Sequence, residues 1–151
     1  MLKLHPAHLA SIRAHAESTY PEECCGIMLG QVGDEGKILV EVLATQNVWS
    51  AETTESFPGS ELGTTKMHRY TIAPAVLLQT QREARDRHLN IIGIYHSHTD
   101  SYAIPSEFDR VCAWHQYSYI IVSVQNGKAC DLLCWSLDDD NRFQPEEMII
   151  V

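Results

Sequence analysis

The chain predicts an α/β layered domain of the α+β kind, in which a mixed and largely antiparallel sheet is flanked by helices. Three observations carry that expectation. Residues 6–18 and 73–88 repeat apolar side chains at helical spacing. Several apolar runs of strand length are bounded by turn residues, and an Asn-Gly pair at 126–127 joins two of them as a tight hairpin. At 151 residues and 44% hydrophobic content, the chain suits one domain, 1–151, with a single core and no internal repeat.

The first helix is expected over Pro6 to Ser18, where Leu9, Ile12 and Ala16 make an apolar stripe that ends at Thr19-Tyr20-Pro21. Cys25–Gln31 and Lys37–Ala44 read as a strand pair joined by the turn Val32 to Gly36. Residues 50–71, with Glu52 to Glu55, Pro58-Gly59 and Gly63 to Thr65, are turn-rich and lack periodicity, so a long loop is expected there. Such a loop either lines a binding site or is a connection without a role. Ala73 to His88 is amphipathic through Val76, Leu77, Thr80 and Ala84, with Arg82, Arg85, Asp86 and Arg87 on the wet side.

Asn90 to Tyr95 is β-branched and apolar enough for a buried strand, with His96 and His98 as its last residues. A helix following Asp109 should run to His115. Tyr117–Val124 and Ala129–Leu137 should be paired strands, Asp138 to Asn141 a polar turn, and Glu147 to Val151 a short edge strand. The acidic run at 138–140 lacks the remaining ligands of a calcium loop. Trp114, His115 and His88 are assigned to packing.

Side chains two apart on a strand share a face, so His96 and His98, about 6–7 Å apart along the backbone, can converge on one ion. A third ligand must come from elsewhere. Ser106-Glu107-Phe108-Asp109 after Pro105 has the form of a capping box, which alone explains its residues. Starting a helix a short loop after the histidine strand also brings a carboxylate toward the imidazoles, and Asp109 is the candidate. Asp100, closer in sequence, competes for that place.

The order His96-x-His98, seven residues, then Ser106-x-x-Asp109 resembles the signature of the JAMM zinc metallopeptidases, also called MPN or Mov34 proteins. An upstream Glu-x-Cys-Gly setting is similar too, and its register selects Glu23 over Glu22 in Glu22-Glu23-Cys24-Cys25-Gly26. The similarity covers nearly the whole chain, through Trp114 and the strand 117–123, and is greatest to the compact prokaryotic members.

The resemblance implies a cytidine-deaminase-like sandwich and one catalytic Zn2+ held by His96, His98 and Asp109. It further implies Glu23 as general base and Ser106 as hydrogen-bond donor to the oxygen of the tetrahedral intermediate. Three protein ligands leave a position open, and zinc lowers the pKa of bound water to about 7. The implied reaction is hydrolysis of the (iso)peptide bond after the C-terminal Gly-Gly of a ubiquitin-like or sulfur-carrier protein. Two alternatives stand beside it: a broader isopeptidase removing ubiquitin-like tags from lysines, and a non-catalytic MPN scaffold. The family commonly has proline directly after the second histidine; Thr99 stands there in this chain, which bears on the loop and not on a ligand.

The formal charge of −9 argues against nucleic acid as a partner. No apolar run is long enough to span a bilayer, and Met1 to Pro6 lacks the apolar core of a secretion signal, so no membrane partner and a cytoplasmic location are expected. The five cysteines form no Cys-x-x-Cys pair and should be free thiols. Cys24 and Cys25, beside the expected site, read as small buried residues, with a nucleophilic role open in principle. The oligomeric state is left open, a homodimer included.

Overall fold

The computed structural model describes residues 1–50 and 65–151. Most of the turn-rich stretch expected as a loop over 50–71 therefore lies outside the described residues. Of the rest, 65–71 contains one turn at 66–68 and no helix or strand.

The described elements run β1 Leu2–Leu4, α1 Pro6–Thr19, β2 Cys25–Gly33, β3 Gly36–Thr45, α2 Pro74–Asp86, β4 Asn90–Thr99, α3 Glu107–Val111, β5 Ser118–Gln125, β6 Lys128–Leu137, β7 Phe143–Pro145 and β8 Met148–Ile150. Both longer helices begin with proline, whose fixed φ and missing N–H suit the first turn. The residue preceding a proline is pushed out of the helical region, and α1 accordingly stops before Tyr20-Pro21.

All eight strands form one mixed sheet in the order β7-β6-β5-β4-β2-β3-β1-β8. The pairs β2/β3, β2/β4, β5/β6 and β6/β7 are antiparallel, while β4/β5, β1/β3 and β1/β8 are parallel. β4 lies centrally and is covered on both faces, which accounts for its nearly continuous apolar sequence. On one face α1 buries Ile12 and Ala16 against Met28, Tyr95, Ile120 and Val122. The opposite face, under α2, packs Ile27, Leu29, Ala84, Ile94 and Tyr119 together.

The hairpins form where expected, with longer strands: only Asp34 and Glu35 separate β2 from β3, and Asn126 and Gly127, both at positive φ, separate β5 from β6. β8 is the expected edge strand, while β1 and β7, three residues each, carry too little pattern to be read from sequence. Gly26 is required by close approach: a Cβ there would overlap the Tyr95 ring, whose hydroxyl bonds His15 of α1 at 2.8 Å.

Two expectations are corrected. The helix near Asp109 starts at Glu107, as the Ser106 capping box implies, but it ends at Val111 and does not reach His115. The Trp114 N–H donates to the Tyr119 hydroxyl at 2.8 Å, which draws the chain off the helical path. Trp114 is 63% exposed and does not pack into the core. His115 and His88 are exposed too, the latter in a turn at φ 57°.

Candidate metal centre

β4 carries Ile94, His96 and His98 on the face covered by α2, and the strand continues one residue past His98 to Thr99. Cys25 of β2 pairs with His96, so Glu23 arrives beside the histidines at the end of the neighbouring strand. Ser106 caps α3: Asp109 N–H donates to Ser106 Oγ at 3.1 Å, and Ser106 N–H donates to Asp109 Oδ2 at 2.8 Å. This reciprocal pair fixes the Asp109 carboxylate with its oxygens toward the sheet. The capping box and the carboxylate donor are thus the same residues.

Asp109 Oδ1 lies 3.4 Å from His96 Nε2, and Asp109 Oδ2 lies 3.2 Å from His98 Nε2. The two Nε2 atoms are 3.3 Å apart, and the three donor groups lie within 4.8 Å of one another. The Nδ1–H of His98 donates to the Tyr102 carbonyl at 2.7 Å, leaving the Nε2 lone pair facing the Asp109 carboxylate. A lone pair and a carboxylate oxygen at this separation repel unless a proton or a cation lies between them. Two imidazole nitrogens and one carboxylate are also a donor set that divalent metals of the zinc type accept. The residues therefore fit a metal ion.

Asp100, the rival carboxylate, is spent elsewhere. It accepts from Tyr20 Oη at 2.7 Å and from Asn126 N–H at 2.9 Å, tying the exit of β4 to the β5–β6 turn.

Electrostatics separate the groups. Burial would raise the Asp109 pKa, but His96 and His98 outweigh it and hold the carboxyl well below its usual range. Glu23, 6% exposed, is pushed well above the usual glutamate range by burial and then by Asp109, with Arg69 opposing. Burial lowers the His96 pKa against the pull of Asp109. For His98 burial also lowers, but the hydrogen bond and charge of Asp109 raise it further. All five cysteines are free. Burial lifts the Cys24 thiol to about 12 and that of Cys25 to about 11, so neither is a thiolate nucleophile near neutral pH.

Several residues at the centre escaped the sequence reading. Residues 66–71 cross over it as a strap: Lys66 O accepts from Glu23 N–H at 2.7 Å, and Met67 O accepts from Thr99 Oγ1 at 2.6 Å. Asn47 donates to Glu23 O at 3.1 Å and to Arg69 O at 2.9 Å, while its Oδ1 accepts from Thr71 N–H at 3.1 Å. The Tyr70 ring stacks on His96 with centroids 4.5 Å apart. Thr99 is thereby a strap anchor. An apolar cavity of about 390 Å³ opens beside Asp109 between α2 and α3, with Ile72, Leu77, Ile94, Phe108 and Tyr119 in its wall. The only sequence signal for this cover was the length of the 50–71 stretch.

Among families, the profile described as prokaryotic homologs of the JAB domain matches residues 5–138. A solution structure of a Salinibacter ruber protein is similar at 30% identity and a TM-score of 0.70, over 99% of this chain and 91% of that one. One from Desulfitobacterium hafniense superposes with a TM-score of 0.78 at 21% identity, over 100% and 93% of the two chains. The crystal structure of a JAB1/MPN-domain protein from Archaeoglobus fulgidus shares the fold at 17% identity and a TM-score of 0.58, over 99% and 98%. No functionally curated protein matches.

Proposed function

Because this chain belongs to the family of prokaryotic JAB-domain homologues, we propose that it is a zinc metallopeptidase that hydrolyses the (iso)peptide bond after the C-terminal Gly-Gly of a ubiquitin-like or sulfur-carrier protein. The observation that carries this reading is the convergence of His96, His98 and Asp109 on one point, on a face where a second carboxylate, Glu23, is buried nearby. His96 and His98 would hold the ion through Nε2 and Asp109 through its carboxylate. When bound, the ion supplies Lewis acidity and makes water a nucleophile near neutral pH.

The chain's own residues divide the remaining work. Glu23 takes the proton of the attacking water on its carboxylate and delivers it to the leaving amine, a role that its strengthened hold on a proton suits. Ser106 Oγ accepts from Asp109 N–H and keeps its own hydrogen for donation to the oxygen on which charge develops. The strap over the site, with Tyr70 on His96, limits access of bulk water to the histidine face. Glycine is the residue that lets a substrate backbone approach so crowded a centre.

Zinc content and cleavage of a carrier ending in Gly-Gly-Cys, compared for the native chain, Glu23→Gln and Asp109→Ala, test this. Stoichiometric zinc in the first two, its loss in Asp109→Ala, and cleavage by the native chain alone are expected. Zinc bound at full occupancy in Asp109→Ala, or normal turnover in Glu23→Gln, would overturn the assigned roles.

A further inference from the structure

Arg69 lies on the strap beside the metal centre, and its guanidinium is only partly used. Its Cζ is 4.5 Å from the centroid of the Phe108 ring, the residue preceding Asp109, so one face of the guanidinium is covered. Nη1 donates to the His68 carbonyl at 2.9 Å. Nε is buried and has no hydrogen-bond partner among the described residues. In this same chain Arg110 presents Nε and Nη2 together to the two oxygens of Glu107, showing the fork that this edge offers to a carboxylate. A buried cationic donor without a partner forfeits the hydration it had in water, a loss that a ligand at this edge would recover.

The strap positions the group firmly, since Arg69 O is held by Asn47 and the next residue, Tyr70, is stacked on His96. Asn47 bridges the Glu23 and Arg69 carbonyls, and the guanidinium lies over Phe108 of α3, which puts Arg69 between the proposed base and α3. Glu23 hands its proton to the leaving amine, so the leaving residue lies on the Glu23 side. An amino acid bonded through its α-amine carries a carboxylate two bonds from that amine. A lysine joined through its side chain carries none nearby.

We infer that Arg69 binds the α-carboxylate of the residue released by cleavage, and so makes the site selective for carriers ending in one added amino acid over carriers joined to lysine side chains. This rests on the peptidase reading above, and it names a substrate class for that reading.

Two measurements test it. The first compares kcat/KM on peptides ending in Gly-Gly-Ala with a free carboxylate or a terminal amide, for the zinc-loaded native chain, Arg69→Lys and Arg69→Gln. The native chain should favour the free acid by about 10- to 100-fold, the range for a hydrogen bond to a charged group, and Arg69→Gln should lose that preference. Arg69→Lys, keeping the charge without the fork, should fall between. Equal rates on acid and amide by the native chain, or an unchanged preference in Arg69→Gln, overturn the inference.

The second follows the Arg69 Nε–H resonance of the metal-free protein during titration with alanine, alaninamide and acetyl-glycylglycine. A shift with alanine alone supports the assignment. A shift with acetyl-glycylglycine alone moves the carboxylate to the acyl side and overturns it, and no shift with any of the three also overturns it. If alanine shifts the resonance while the zinc-loaded chain cleaves neither peptide, the carboxylate site stands and the peptidase reading falls.

Discussion

The stretch before β2 and the first turn of α3 each bury a carboxylate at the same end of the sheet, yet Glu23 and Asp109 are driven in opposite directions. Burial disfavours charge on both. Asp109 faces two imidazoles and receives the Ser106 N–H, so its charge is matched. For Glu23, Asp109 itself adds to the penalty of burial, and Arg69 offsets only part of it. Partners, and not depth, therefore decide which carboxylate is held as an anion and which has the raised affinity for a proton. That division matches a ligand on one side and a base on the other.

The largest effect is expected for Asp109→Asn, which keeps shape and removes charge. Metal affinity, read by competition with a chelator, should fall more than about 100-fold, beyond the usual cost of losing an outer-shell partner. Native-like affinity in that variant would place the third donor elsewhere. Glu23→Gln should leave metal content unchanged and lower kcat by about 10²–10⁴, the range for a lost general base, in a single-turnover assay.

A smaller change is expected at the cap. Ser106→Ala removes the acceptor for Asp109 N–H, and denaturant unfolding should show a loss of about 0.5–2 kcal/mol, the usual cost of an N-cap. Ser106→Gly should lose only a few tenths of that unit.

The smallest effect concerns Asp100, the carboxylate that resembles Asp109 only in sequence position. Asn126 N–H and Tyr20 Oη hold its pKa below the ordinary aspartate value. A depressed folded-state pKa means that its contribution is complete above the unfolded value and fades as pH falls through the folded one. Unfolding midpoints of the native chain and Asp100→Asn should therefore differ near neutral pH and converge in acid. Metal content should be the same in both, and a loss of metal in Asp100→Asn would count against the assignment of Asp109.

Much of the centre was legible because its parts are local. The period of two along β4 placed His96 and His98 on one face, and a capping box announced both the start of α3 and the orientation of the Asp109 carboxylate. The end of α3 was not legible, because a hydrogen bond from Trp114 to Tyr119, on the following strand, ended it. Nor was the role of Thr99, which lies in its bond to Met67 O across a long stretch of chain. β1 escaped notice because its order comes from pairing with β3 and β8, not from a pattern within three residues.

By itself the sequence determined the α/β class, the hairpins, the histidine pair and the family, since strand alternation, turn chemistry and motif spacing act over a few residues. Only the tertiary structure decided between Asp100 and Asp109, laid Tyr70 over His96, buried the Arg69 Nε without a partner among the described residues and lifted Glu23 while holding Asp109 down. These depend on which distant groups share a low-dielectric space, and charge, burial and unspent donors are properties of that shared space.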